Sequence, residues 1–189
     1  HLVLEESMLS QLVSNGACMP HYEYLHIPGM DWLCRPIYRC LTQHQLASAA
    51  AQTGKRQVLS ETFALCGHNV SFEELGRNYE WMTVRGINLM CQHLMGYSTR
   101  GLRKRDYPPA MYYQQPWWKD YPAFIDTYSR IGMLLAEGRI RFDTLVLHTQ
   151  TSAWICYNDR DNKDLGTYNE ALLDVIDTLE RKHIPFHLG

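Results

Sequence analysis

Hydrophobic and polar positions along the chain follow two periodicities, which predict short strands separated by amphipathic helices. Three alternating or apolar runs predict strands at residues 21–27, 56–63 and 86–94. The last of these runs predicts a strand that is buried on both faces. Helical spacing of apolar positions predicts helices at residues 4–15 and 38–53, and after a capping box that pairs Ser71 with Glu74.

The strand and helix pattern continues beyond a long irregular stretch at residues 95–116. A helix is predicted over 117–137, ending at Gly138, and a later helix is expected to open at a second capping box, Thr167 with Glu170. Two predicted strands flank that later helix, at residues 143–149 and 183–188.

The spacing of the first three strands, about 30–35 residues, is typical of βα units in a parallel sheet. We therefore expect an α/β fold with two parts. Residues 1–138 are expected to form one α/β unit, and the strand, helix and strand of residues 139–189 predict the start of a separate flavodoxin-like domain.

Composition narrows the class of protein. The chain has 189 residues, of which 46% are hydrophobic and 20% charged, as in globular proteins. A net charge of -2 predicts no general attraction to nucleic acid, and no apolar run reaches the length of a membrane span. The six cysteines lack zinc-site spacing, so we expect no metal, no cofactor and a cytoplasmic location. The chain begins without Met, which suggests an internal fragment.

Candidate functional residues lie where the predicted strands end, because reactive side chains of parallel βα folds gather at the carboxyl ends of strands. His26 ends the first predicted strand, Glu61 the second and His93 the third. A buried carboxylate is costly unless it is paired, so Glu61 is either functional or the partner of an arginine. The candidate arginine partners are Arg56, Arg85 and Arg103.

The other candidates also have structural explanations. Asp31 follows a Pro-Gly turn, where Asp commonly bonds its own backbone, and His93 fits a satisfied core histidine. Core packing is the default role for the aromatic residues near these positions. The cationic residues at 100 and 103–105 are typical of a solvated loop.

Four ordered segments together resemble a known group of enzymes. Residues 24–33 resemble its YxxxPGxDxL segment, 58–63 its SE(A/T)F strand, 84–101 its VRGxNLxxxHxxxYSxRG block and 115–118 its PWW motif. The group is similar to the family 106 α-L-rhamnosidases and related bacterial barrel glycoside hydrolases. The resemblance covers roughly residues 20–150.

This resemblance implies the C-terminal portion of a (β/α)8 TIM barrel, with Glu61 as a catalytic carboxylate at the end of strand seven. It implies an oligosaccharide or glycoside substrate, rhamnosyl or galactosyl, and substrate-binding roles for His26, Asp31, Trp32, His93, Tyr97 and Trp118. The partner carboxylate would come from strand four, before residue 1. We therefore expect this piece alone to be inactive and prone to associate, and the choice between inversion and retention stays open.

Two other classes of function are compatible with the residues. One is a carbohydrate-binding or structural fragment without turnover. The other is a flavodoxin-like nucleotide or flavin binder, which is disfavoured because no glycine-rich phosphate loop follows residues 143–149.

Overall fold

A computed structural model describes residues 2–3, 7–158 and 160–189. Its main sheet has four parallel strands whose spatial order is their order in the chain. These strands are β1 (Leu2–Val3), β2 (Gly29–Trp32), β3 (Leu59–Thr62) and β4 (Leu89–Gln92). The fold is therefore α/β with parallel strands, as the spacing of the sequence predicts.

Helices connect the strands. Between β1 and β2 lie α1 (Met8–Ser14) and α2 (Met19–Glu23), and the next two connections contain α3 (Thr42–Gln52) and α4 (Phe72–Thr83). After β4 come a 3₁₀ helix (Gly101–Arg105) and α5 (Tyr121–Glu137). A second, two-stranded parallel sheet follows, with β5 (Leu145–Val146), α6 (Gln150–Cys156), α7 (Lys163–Arg181) and β6 (His187–Leu188).

The helix ends agree with several sequence signals. The Ser71 capping box is present with both of its hydrogen bonds, because the Ser71 side chain accepts from Glu74 N and the Glu74 carboxylate accepts from Ser71 N. Gly54, just after α3, has the left-handed φ of +71° that glycine adopts without strain. Helix α5 ends before Gly138 as predicted.

The strand predicted at residues 21–27 is wrong. Helix α2 occupies the first three residues of this segment, since Pro20 in its first turn favours a helix start, and the rest is irregular; Tyr22 is buried while Tyr24 is exposed. The strand begins only at Gly29. The Pro28 carbonyl accepts a hydrogen bond from Leu59 N, so sheet pairing starts at the residues that were expected to close the strand.

Two further predictions are also wrong. The Thr167 box does not start a helix, because α7 begins at Lys163 and the Thr167 hydroxyl donates to the Lys163 carbonyl within it. Strand β4 is not buried on both faces. Its residues are half-buried and Cys91 is exposed, because β4 is the last strand of the sheet and has a neighbour on one side only in the described chain.

The core consists of two clusters of buried side chains. The larger lies between the main sheet and α3, α4 and α5, and includes Met30, Trp32 and Tyr79. The smaller joins Met8 of α1 and Leu41 to α6, α7 and β6. Residues 139–189 thus pack against the first part of the chain through a shared core, and their status as a separate domain stays a prediction. No helix in the described ranges is long and apolar enough to cross a bilayer.

Candidate functional site

Two carboxylates lie side by side on the main sheet. Asp31 of β2 pairs in register with Glu61 of β3, and Glu61 pairs with Cys91 of β4. Adjacent strands are about 4.8 Å apart and residues in register point to the same face, so the three side chains form a row. Burial raises the pKa of the Cys91 thiol, and the negative charges of Glu61 and Asp31 raise it further. Both carboxylates therefore act on the same thiol.

The row lies on the more open face of the sheet. Glu61 and Asp31 are half-buried and Cys91 is exposed, whereas Met30, Ser60 and Thr62, which alternate with them, are almost fully buried under the helices. The sheet consequently has one face packed by helices and one face that presents ionisable groups.

His93 extends the site at the carboxyl end of β4. Its Nε2 is 3.8 Å from Glu61 Oε1, a distance too long for a direct hydrogen bond but short enough for one ligand hydroxyl to contact both groups. His93 N donates to the Thr62 carbonyl at 2.9 Å, and its ring contacts Tyr107 with centroids 5.7 Å apart. The buried Nδ1 atom has no partner among the described residues.

None of the three candidate arginines pairs with Glu61 in the described chain. Arg56 forms an ion pair with Glu137 and Arg85 forms one with Glu180, while Arg103 donates to the Ser98 hydroxyl. Pairing with one of these arginines therefore does not explain the position of Glu61 in the described chain.

Trp32 does not share the face of Glu61. It is 2% exposed, and its ring packs against Tyr38 and Trp81, at centroid distances of 4.8 and 4.6 Å. Its position one residue after Asp31 turns the side chain to the helix-covered face. Trp32 therefore packs in the core on the face opposite Glu61, and its expected substrate-binding role stays a prediction.

The remaining predicted site residues are spread around the Glu61 row. His26 is exposed and precedes β2, so its expected place at a strand end is wrong. Trp118 is partly buried, and its ring stacks on Tyr121 at 5.5 Å. Tyr97 is 89% exposed in the loop after β4. The structure thus brings Asp31, Glu61 and His93 together, and the roles of all these residues stay predictions.

Two neighbours of the site were missed from the sequence. Cys91 stands thirty residues after Glu61, as Glu61 stands thirty after Asp31, and this period was a usable signal. Tyr107 reaches His93 from a long irregular loop, for which no local pattern exists. In the described ranges no group of three His, Cys, Asp or Glu side chains is arranged to hold a metal ion.

One solved structure similar to this chain is a rhamnosidase from Novosphingobium sp. PP1Y, with a TM-score of 0.57 at 17% sequence identity. The similarity covers 68% of this chain and 13% of the rhamnosidase chain, so this protein spans only a small part of that enzyme's length. No protein-family model and no curated protein matches the sequence. The similarity at this identity shows a rhamnosidase-like α/β fold and no more.

Proposed function

We propose that this chain forms the C-terminal part of the (β/α)8 barrel of a glycoside hydrolase, with Glu61 as one of its catalytic carboxylates. The observation that carries the proposal is the position of Glu61, half-buried on the open face of a sequentially ordered parallel sheet, beside Asp31 and His93. Residues 1–138 would belong to the barrel and 139–189 would begin a flavodoxin-like domain. The resemblance implies a rhamnosyl or galactosyl substrate.

The proposed chemistry needs Glu61 in its ionised form. Glycosidic cleavage passes through an oxocarbenium-like transition state and uses two carboxyl groups, one that protonates the leaving oxygen and one that acts as a base or nucleophile. A carboxylate on an open face can fill the second role. His93 lies near enough to share a substrate hydroxyl with it, and Asp31 offers a further acceptor in the same row.

Replacing Glu61 with Gln in the enzyme that contains this chain tests the proposal. The exchange keeps the shape of the side chain and removes the charge, so kcat for aryl rhamnoside or galactoside hydrolysis is expected to fall by about 10³-fold. Release of the chromogenic aglycone measures the rate, and thermal unfolding checks the fold.

Glu137→Gln is the matched control. Glu137 is exposed at the end of α5, away from the Glu61 row, and its exchange is expected to leave kcat unchanged. Near-normal turnover in Glu61→Gln would show that Glu61 is structural and would refute the assignment.

A further inference from the structure

We infer that the loop between β4 and α5 recognises negative charge, so that the saccharide bound at Glu61 carries a carboxylate or sulfate group beside the bond to be cleaved. The inference rests on the proposed function, because it takes the Glu61 row as the place where a saccharide binds. It adds the chemical class of the substrate, which neither the fold nor the two carboxylates specify.

The loop concentrates positive charge in a chain that is otherwise slightly acidic. Residues 100–105 contain four cations, and the whole chain has a net charge of -2. All four are exposed: Arg100, Arg103, Lys104 and Arg105. Within the described ranges none of them forms an ion pair, whereas seven arginines elsewhere each lie within ion-pair distance of a carboxylate. The loop cations are therefore left available for an anion from outside.

Helix dipoles do not account for these cations. Other cationic residues lie two or three residues after helix ends, as Lys55 does after α3, Arg85 after α4 and Arg139 after α5, where positive charge balances the carbonyl end of the helix. The cations of residues 100–105 lie instead after the carboxyl end of β4 and before α5. The one helix end in this loop is that of the five-residue 3₁₀ helix, which has Arg103, Lys104 and Arg105 in its last turn, and so short a helix sums few peptide dipoles.

The loop between β4 and α5 is held near His93 by a backbone hydrogen bond of Lys104 and by the ring of Tyr107. The Lys104 carbonyl accepts a hydrogen bond from His68 Nε2 at 2.7 Å, and the other nitrogen of that ring accepts from the Gln115 amide at 3.0 Å. Tyr107 contacts the ring of His93, which is 3.8 Å from Glu61. Because these contacts use backbone and ring atoms, they leave the four cationic groups of the loop without an ion pair among the described residues.

The same loop exposes apolar surface that suits a sugar ring. Tyr97 is 89% exposed and Leu102 is 78% exposed, and half of Tyr107 is also accessible. An aromatic ring packs on the apolar face of a pyranose while nearby cations pair with an acidic substituent. Continuity with Glu61 through His93 and Tyr107 favours a saccharide over other polyanions.

Binding of charged and uncharged saccharides to the 189-residue chain tests the inference. The probes are a galacturonic acid trisaccharide, its methyl ester as an uncharged match, and a sulfated disaccharide, measured by calorimetry at low and high salt. The acid is expected to bind on the order of tenfold more tightly than the ester, with a preference that weakens as salt screens the charges. Preference for the sulfated probe instead would identify sulfate as the anion.

Changing Arg103, Lys104 and Arg105 to Gln together is expected to remove the preference for the acid over the ester. A control with the same loss of charge changes Arg141, Lys163 and Lys182, which are exposed outside the site, and is expected to keep it. Equal binding of acid and ester by the unmodified chain would overturn the inference. So would tighter binding of a short DNA duplex that depends on the same three cations.

Glu61→Gln separates this inference from the proposed function. It is expected to abolish hydrolysis by the enzyme that contains this chain and to preserve the preference for the acid probe. If Glu61→Gln hydrolyses normally while the loop variant loses charge recognition, the proposed catalysis is refuted and the anion site stands. If Glu61→Gln abolishes hydrolysis and the loop variant behaves like its control, the inference fails and the proposed function stands.

Discussion

Replacing Glu180 with Gln is expected to destabilise the contact between α7 and the first part of the chain. Glu180 Oε1 is 2.9 Å from His44 Nε2, and Glu180 Oε2 is 2.7 Å from Arg85 Nη2. The Arg85 guanidinium lies 4.3 Å from the centre of the Trp81 ring and also donates to the Trp81 carbonyl. One carboxylate thus connects three segments that are distant in sequence.

The protonation states follow from burial and charge. Burial lowers the pKa of His44, and although the Glu180 carboxylate opposes this, the pKa stays below its usual value. At neutral pH a neutral His44 therefore donates to the carboxylate, and the ion pair of the network is that of Arg85 with Glu180. Burial alone raises the pKa of Glu180, but the hydrogen bonds from His44 and Arg85 and the charge of Arg85 outweigh it and lower the pKa.

The size of the expected loss of stability depends on how far these side chains are shielded from solvent. The side chains of His44, Arg85 and Glu180 are 10%, 13% and 26% exposed. Removing one partner of a fully buried pair costs 3–5 kcal/mol, and a surface pair contributes at most about 1 kcal/mol. We expect a loss of about 2–3 kcal/mol for this partly shielded network, or roughly 5–10 °C in Tm for a chain of this size.

Urea unfolding at pH 7, followed by circular dichroism, measures the loss. Glu170→Gln is the matched control, because Glu170 pairs with Arg39 where both side chains are largely exposed, and it should cost less than about 1 kcal/mol. A Glu180 with a lowered pKa stabilises the fold above its ordinary pKa near 4.5, and this contribution disappears as the pH falls through the lowered value. Equal destabilisation by the two exchanges at pH 7 would refute the reasoning.

Two further predictions concern stability. Burial lowers the pKa of His148 to about 4, so its contribution to the free energy of unfolding is present above pH 6.5 and is lost as the pH falls through 4, by at most about 3 kcal/mol. Unfolding measured at pH 7 and at pH 4.5 should therefore show a smaller loss of stability in acid for His148→Gln than for the unmodified chain. Equal losses would contradict this prediction. Gly132→Ala should destabilise the fold by about 1–3 kcal/mol, because a Cβ there overlaps the Asn88 carbonyl. Gly166→Ala in α7 meets open space and should stabilise the fold by about 0.5–1 kcal/mol. The same urea titration measures both, and similar effects would disprove the packing argument.

The sequence was most informative where a local signal has a local cause. The Ser71 box and Gly54 act within a few residues, and both mark helix ends in the structure. Strand β3 was placed correctly for a related reason, since the β-branched and apolar run before Glu61 is bounded by polar residues. The prediction of a strand before Gly29 was wrong because the start of β2 is determined by its pairing with Leu59, which is thirty residues away in the chain.

The error in β2 also explains what was wrong at the site. Side chains of a strand alternate between two faces, so placing the strand before Gly29 left Asp31 and Trp32 in a loop with no assigned face. The correct strand separates them, with Asp31 beside Glu61 and Trp32 under the helices. The contact of His93 with Tyr107 depends on how a long loop closes, which local periodicity does not encode.

Strands β2, β3 and β4 have equal length and equal spacing along the chain, and this has a consequence for how the molecule can change. Gly29, Leu59 and Leu89 are partners in register, so the unit from β2 to β3 and the unit from β3 to β4 contain the same number of residues. Each unit is in this sense an interchangeable module. A grafted module of equal length would bring its own third strand residue into line with Glu61. New chemistry at this face can therefore be gained by exchanging whole modules, without redesigning the framework around them.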